Sequence, residues 1–537
     1  MKLILLLLFF ISGGCGLGYE VLWTRYLELI FGNTTFSVAT ILSAFMFGFA
    51  GGSYLGGKKS CNLGFQAFYY YLLCELIIGI FAVFSPFILR LLNYPLLTIY
   101  KISGNNFYII SSVKFILAIV ILLIPTSLMG ATFPLMVEAI SVLTLKRSKW
   151  SAILYASNLL GAGTFIALSM FIFLPKLTLN GTIFLFALLN FSIFVIGFIL
   201  FKFTTKSAGQ KTETTIVKAK LQLKTEHRLT LLLYLLSGIC SFSFEIVWTR
   251  YYILLTGGAV YSFAMLLFSW IIGLGIGSFL VSIFLEKVKD YHFSFALLQL
   301  IVAVCGLAQY IWITLTPYFY MMVYPSSSNN FFRDNIEFLW KFASKFFQYP
   351  FEYKTTVRII LVFSGVIIPT ICLGAILPVL MRGFILSGIA PAQSASLLYI
   401  FNCLGAVIGS WLTSFIFIPY LGLKYTNNLL SFLCMGIFFV AIEFLSSKKE
   451  LTKIVFLLIA IIVTGTTMHY QTQTTQDALL SGVYLYGGYY KNIEDFVDTL
   501  QFKKRVFLYE GLTSIVDVKY TSHTPYNLSL SINGKVD

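Results

Sequence analysis

The sequence predicts an all-α polytopic membrane protein, built as two parallel six-helix repeats plus a thirteenth helix, with a small C-terminal β meander. Three observations predict it. The 537 residues are 58% hydrophobic and 11% charged, with mean hydropathy +0.88; a soluble globular chain carries roughly 25% charged residues. Apolar runs of about 20 residues, the length that crosses a bilayer, recur along most of the chain. Finally, Glu20-Val-Leu-Trp-Thr-Arg25 returns as Glu245-Ile-Val-Trp-Thr-Arg250, 225 positions later, as expected of a tandem duplication.

The apolar runs fall near 3–23, 36–56, 67–92, 107–138, 152–174 and 181–203, then near 229–254, 259–284, 293–323, 356–385, 396–418 and 428–446, with a further one at 451–468. This divides the chain into a first repeat (1–203), a basic linker (204–228), a second repeat (229–446), a thirteenth helix (447–470) and a C-terminal segment (471–537). Six spans per repeat is an even number, so both repeats enter the membrane in the same direction. The correspondence continues beyond the first motif. Gly48, Gly52 and Ser53 match Gly273, Gly277 and Ser278 at the same offset. Pro125, Gly130, Pro134, Tyr155, Asn158 and Gly161 match Pro369, Gly374, Pro378, Tyr399, Asn402 and Gly405 at an offset of 244. The 19 extra residues enter around 320–355, where Phe331 to Phe347 reads as a helix lying in the membrane interface.

The net charge of +16 does not imply nucleic acid, because the basic residues cluster in loops between spans. Lys202 to Arg228 holds seven basic and two acidic residues, and Lys58-Lys59, Lys146-Arg147-Lys149 and Lys448-Lys449 fall in loops on the same side. The positive-inside rule makes that side cytoplasmic, N-terminus included, in a multi-pass protein of the plasma (inner) membrane, and places the C-terminal segment outside. Ser12-Gly-Gly-Cys15 could pass for a lipoprotein signal, but it matches Ser237-Gly-Ile-Cys240 deep in the chain, so the first run is read as a retained helix. Eight cysteines form no CxxC pair and four histidines are scattered, so no metal site is predicted. After Met468, residues 505–537 carry short strand patterns around Pro525 and Asn533-Gly534.

Intramembrane charge is costly and marks function or pairing. Glu20 and Glu245 are therefore the leading candidates, with Lys114 and Arg358, equivalent at the 244 offset, as partners in two interhelical ion pairs. Such pairs either lock helix register or line a polar substrate site. Asn158 and Asn402 bridge helices by hydrogen bonds. Arg25 and Arg250 snorkel to the interface beside Trp23 and Trp248. Gly48/Gly52 and Gly273/Gly277 read as small-residue helix contacts, not phosphate loops. Pro125 and Pro134, with Pro369 and Pro378, predict broken helices in spans four and ten, which either pack a kink or line a cavity. No nucleophile–base constellation or nucleotide-binding loop is present.

Gly18-Tyr-Glu-Val-Leu-Trp-Thr-Arg25, the Gly48-to-Ser53 stretch and Pro125-to-Pro134 resemble the membrane portion of fused spermidine synthase-like proteins. Ser481-Gly-Val-Tyr-Leu-Tyr-Gly487 resembles the joining segment, and Tyr509-Glu-Gly-Leu-Thr-Ser-Ile-Val and Ile532-Asn-Gly-Lys-Val-Asp537 resemble the first strands of the synthase domain. The resemblance implies a part in polyamine synthesis or in handling a polyamine or small amine. It implies decarboxylated S-adenosylmethionine only for a complete family member. The family's glycine loop and acidic residues would lie past this chain's end, Val516 stands near an expected glutamine and Asp537 replaces another. The expectation is thus a fragment without a catalytic core or cofactor. The alternative is a transporter without enzyme activity, resembling a major-facilitator arrangement, for a small cationic solute.

Overall fold

The computed structural model describes residues 1–31, 35–60, 63–102, 106–207, 223–257, 259–323, 330–346, 353–446, 450–473, 476–502, 505–511, 514–520 and 528–536. Most of the 204–228 linker, Lys448-Lys449, Phe347, Pro525 and Asp537 lie outside them. The first half comprises α1 (Lys2–Phe31), α2 (Thr35–Ser60), α3 (Gln66–Leu91), α4 (Asn93–Ile102), α5 (Phe107–Ser141), α6 (Arg147–Leu168) and α7 (Leu174–Ser207). The second comprises α8 (Thr225–Thr256), α9 (Ala259–Phe284), α10 (Tyr291–Val323), α11 (Asn330–Phe346), α12 (Tyr353–Leu386), α13 (Pro391–Leu412) and α14 (Ile418–Phe444). Then follow α15 (Glu450–Gln473), α16 (Val483–Tyr486), α17 (Ile493–Phe502) and strands β1 (Arg505–Glu510), β2 (Ile515–Tyr520), β3 (Leu528–Ile532) and β4 (Lys535–Val536).

Among the described residues, ten helical stretches are long and apolar enough to cross a membrane. Two of them, Arg147–Thr204 and Pro391–Phe444, contain a chain reversal and supply two passes each. The reversals are equivalent: Thr178 (φ 62°, ψ 178°) in the first half and Gly422 (φ 75°, ψ 174°) in the second. Each follows a π-helical turn, Ser169–Phe173 and Thr413–Phe417, just before Pro175 and Pro419. Proline offers no N–H to the preceding turn, and a wider turn absorbs the missing bond.

Neighbouring side chains give the directions. Ser157 bonds Leu6 and Asn158 bonds Phe9, so α6 runs parallel to α1. Asn190 meets Tyr19 and Thr204 meets Met1, so α7 runs antiparallel. The second half repeats the packing at the level of single atoms. A methyl group added to Gly48 would overlap Thr126, and one added to Gly273 would overlap Thr370. Gly52 lies against the Ser127 carbonyl and Gly277 against that of Ile371; Gly130 lies against Phe49 and Gly374 against Leu274. Gly161 packs on the Phe10 carbonyl and Gly405 on that of Leu235. Helices in lipid gain little hydrophobic attraction for each other, so close backbone approach at small residues is what joins them. The halves meet through α2 against α13 and α6 against α9, a pseudo-two-fold arrangement of two parallel six-helix units.

Spans four and ten are not broken. α5 and α12 run continuously through Pro125, Pro134, Pro369 and Pro378. Each is held along its length by the glycine-lined face of α2 or α9, which leaves no room for a break. Thr126 and Thr370, directly after a proline, donate their hydroxyls to the carbonyls of Leu122 (2.6 Å) and Val366 (2.8 Å).

α15 passes beside α10 and α14, where Gln471 bonds Asn428 (2.9 Å) and Leu307 (2.6 Å). It delivers the C-terminal segment to the membrane face opposite the chain's start. The four strands form an antiparallel meander in the order β1-β2-β3-β4. Asp477, Arg505, Asp517 and Lys519 form a linked ion-pair network beside it, with Arg505 to Asp477 at 2.7 Å and to Asp517 at 2.9 Å. The sheet rests on the second half: Arg250 donates to the Gly511 carbonyl (3.0 Å), and the Leu423 N–H, beside the Gly422 reversal, donates to Glu510 (2.7 Å).

Two outcomes test this packing. Gly277→Leu is expected to lose at least about 1–3 kcal/mol by overpacking, read as thermal denaturation of the detergent-purified protein, while Gly465→Ala, in open space, does not destabilise. Thr178→Gly is expected to gain about 1 kcal/mol in the same assay, because that φ/ψ region is strained for any residue with a Cβ.

Candidate functional site

A cavity of about 80 Å³ lies between the two halves. Its lining comes from α1 (Leu17, Glu20), α2 (Met46) and α6 (Tyr155) on one side. On the other it comes from α8 (Tyr234, Ser237, Ser241, Phe242, Glu245), α9 (Leu267, Trp270, Ile271, Leu274), α12 (Leu373, Ile376) and α13 (Asn402). The volume holds several waters but is well below the ~300 Å³ of a typical small-molecule pocket.

Glu20 and Glu245 both border this space, 3% and 4% exposed. The duplication places one acid in each half on equivalent helices, and the pseudo-two-fold brings them to the same chamber. Glu20 Oε2 is buried without a hydrogen-bond partner. Neither acid takes part in an ion pair among the described residues. Two carboxyls in one low-dielectric chamber favour a counter-charge, supplied by a cation or a proton.

The cations predicted as their partners are elsewhere. Lys114 donates to the Phe31 carbonyl at the far end of α1 and lies 5.7 Å from the Tyr100 ring centroid. Phe31 is 11 residues beyond Glu20, or about 16 Å along the helix at ~1.5 Å per residue. Because α1 and α5 extend to 30 and 35 residues, depths judged from a 20-residue span put Lys114 too close to Glu20. Arg358 bonds the Tyr484 carbonyl at 3.4 Å and borders a small outer recess with Tyr252, Thr256 and Thr316. Asn158 bonds the Phe9 carbonyl (3.2 Å), while Asn402 faces the cavity.

The residues read as interfacial divide. Arg25 is exposed. Trp23 and Trp248 are fully buried and donate to Ser85 (3.0 Å) and Asn427 (2.9 Å). Arg250 is buried under the C-terminal sheet instead of reaching the interface. An indole or guanidinium deep in a bundle needs a polar partner, and the partner residues come from other helices, which the local sequence does not reveal.

Contacts between the halves flank the cavity toward both faces. On the face bearing the N-terminus, Ser396 Oγ donates to the Ser53 carbonyl (2.7 Å), Ser53 Oγ points back to Ser396 O (3.5 Å), and Ser278 Oγ donates to the Ala152 carbonyl (3.0 Å). Ser53 and Ser278 are repeat equivalents, as are Ala152 and Ser396, so the same contact is made twice across the halves. Lys146 and Glu286 add an exposed ion pair at 3.4 Å. Toward the opposite face, Met170, Ala264 and Met265 pack together with Phe171 and Ile359. Sequence reasoning did not single out these seals. The signal was available as the serine following each GxxxG pair.

No protein-family model matches the chain, and no curated protein does. Solved structures that match include the E. coli fucose:proton symporter FucP, at 14% identity over 83% of this chain and 98% of that one, with TM-score 0.46. Others are the human organic anion transporter MFSD10, at 13% identity over 82% and 99% with TM-score 0.46, and the nucleoside transporter NupG, at 11% over 82% and 98% with TM-score 0.45. These findings overturn the expectation of a fused spermidine synthase-like protein: what matches is a set of transporters, with no synthase among those named. The links to polyamine synthesis and aminopropyl transfer fall with it. Of the segments that suggested that family, Gly48-to-Ser53 and Pro125-to-Pro134 are helix-packing stretches, of a kind that many closely packed membrane helices require.

The serine contacts give a testable outcome. Ser396→Ala combined with Ser278→Ala removes both hydroxyl donors and is expected to loosen the seal on the N-terminal face. A cysteine placed at Ser241 in the cavity then reacts several-fold faster with a maleimide applied from that face, followed by peptide mass spectrometry.

Proposed function

We propose that this protein is a transporter that carries a small cation across the membrane, exposing the central cavity to one face and then the other. Glu20 and Glu245 supply the negative charge that receives the cation. The observation that carries this reading is the pair of buried carboxyls, one from each repeat, facing one chamber whose described lining holds no basic side chain. The doubled architecture supports alternating access, because two similar halves joined by α2–α13 and α6–α9 contacts can rock about a fixed site. The side bearing Lys58-Lys59 and Lys146-Arg147-Lys149 is taken as cytoplasmic in the plasma membrane, by the distribution of basic residues. The C-terminal sheet then lies outside.

The test uses full-length protein in proteoliposomes on a solid-supported electrode, challenged in turn with sodium, potassium, ammonium, methylammonium and choline. A concentration-dependent current with at least one of them is expected in the wild type. It is expected to fall by at least about 10-fold in Glu20→Gln and in Glu245→Gln, since losing one charge-assisted contact removes about 1.5–3 kcal/mol. Wild-type currents in both variants, or no current with any of these cations, would count against the reading.

A further inference from the structure

The two halves differ at one buried polar centre. In the first, Ser12 Oγ donates to Glu75 Oε1 at 2.5 Å and Asn190 Nδ2 donates to Oε2 at 2.6 Å. The Tyr71 hydroxyl, one turn away on the same helix, donates to the Leu8 carbonyl at 3.5 Å, and Tyr19 donates to Asn190 Oδ1 at 2.7 Å, which fixes the amide's orientation. Glu75 is 1% exposed. In the second half Ser237 and Gln299 stand in the same places, and Gln299 Nε2 donates to Ser237 Oγ at the same 2.5 Å separation. Around it, Cys240, Phe244 and Cys434 replace Cys15, Tyr19 and Asn190.

The internal repeat thus acts as a built-in substitution experiment. The same pair of helices closes on an amide in one half and on a carboxyl in the other, so packing does not demand an acid at 75. An acid kept there remains expensive in lipid. The titratable groups that face it are Cys15 and Tyr19 from α1 and Tyr71 and Cys74 from its own helix. α7 contributes Asn190, and neither α7 nor α5 contributes an ionisable group near it among the described residues. Among the described residues no lysine, arginine or histidine forms an ion pair with it.

We propose that Glu75 is a proton-binding site, loaded and unloaded as α1 shifts against α3. Its ionised carboxylate is held by donors from two other helices, Ser12 of α1 and Asn190 of α7. Ser12 belongs to α1, which carries Glu20 about two turns further on. A movement of α1 that withdraws Ser12 leaves the carboxylate short of a donor, and a bound proton then supplies the missing charge balance. Release follows when Ser12 returns. The proton site itself stands whatever the cation; its link to transport rests on the reading of the central cavity given above.

The test is pH-difference infrared spectroscopy of the purified full-length protein in lipid nanodiscs, with protons as the probe, so it does not depend on knowing the solute. A carbonyl-stretch band of a buried protonated carboxyl is expected to appear as pH is lowered. It is expected to be lost in Glu75→Gln and kept in the Glu20→Gln/Glu245→Gln double variant. Glu75→Gln mimics Gln299 and is expected to keep the wild-type melting temperature. Asn190→Ala removes a donor to the ionised form and is expected to raise the band's midpoint by about one pH unit. The same band in Glu75→Gln as in the wild type, or an unmoved midpoint in Asn190→Ala, overturns the proposal. A lost band together with inactive cation currents would leave the proton site standing and remove the transport reading alone.

Discussion

Backbone-to-backbone contact at glycine is the constraint on which the rest of the structure depends. Gly48, Gly52 and Gly130 in the first half, and Gly273, Gly277 and Gly374 in the second, bring helix axes so close that an added methyl group would overlap a neighbouring carbonyl or threonine. In lipid there is little hydrophobic gain from helix association, so dispersion at these contacts, and hydrogen bonds where polar groups meet, must hold the bundle. Once α2 is locked on α5 and α9 on α12, the remaining helices of each half have few ways to pack. The placement of Glu20 and Glu245 follows from that geometry.

The same logic explains why the acids end up unpaired by protein. Each half alone would present one carboxyl on an inner helix. The pseudo-two-fold turns two ordinary positions into one doubly acidic chamber; α6, α8, α9 and α12 surround it with tyrosine, tryptophan and aliphatic side chains, and α13 adds the amide of Asn402. Exclusion of bulk water strengthens every charge interaction within it. The contacts on the N-terminal face join small residues, Ser53 to Ser396 and Ser278 to Ala152, whereas the opposite face is packed by Met170, Met265 and Phe171.

Symmetry is retained where packing requires it and abandoned elsewhere. The π turns at Ser169–Phe173 and Thr413–Phe417 and the reversals at Thr178 and Gly422 are kept at equivalent positions. The Glu75 centre has become neutral in the second half. The segment after α15 makes described hydrogen bonds to α8 and α14 from the sheet and to α12 from Tyr484, all in the second half, so the two units are braced differently on that face. Tyr484, whose ring lies against Gly257, belongs to the same brace.

The sequence by itself determined the class of fold, the doubling and the direction of the repeats. Hydropathy, span length and residue spacing are local properties, and a duplication leaves them readable at fixed offsets. It also pointed to Glu20 and Glu245, because an acid in an apolar run stands out without any knowledge of its neighbours. Only the tertiary structure decided what those acids face. Lys114 and Arg358 were at plausible depths but lie at the outer ends of helices longer than the bilayer is thick. Trp23, Trp248 and Arg250 looked interfacial because their partners, Ser85, Asn427 and Gly511, are contributed by distant segments. Pro125 and Pro369 were expected to break helices that their glycine-faced neighbours hold straight. Glu75 passed unnoticed, since its meaning lies in Ser12 and Asn190 converging on it from two other helices. Contacts between segments 60 to 260 residues apart depend on how helices rotate and cross, and one-dimensional periodicity carries no record of that.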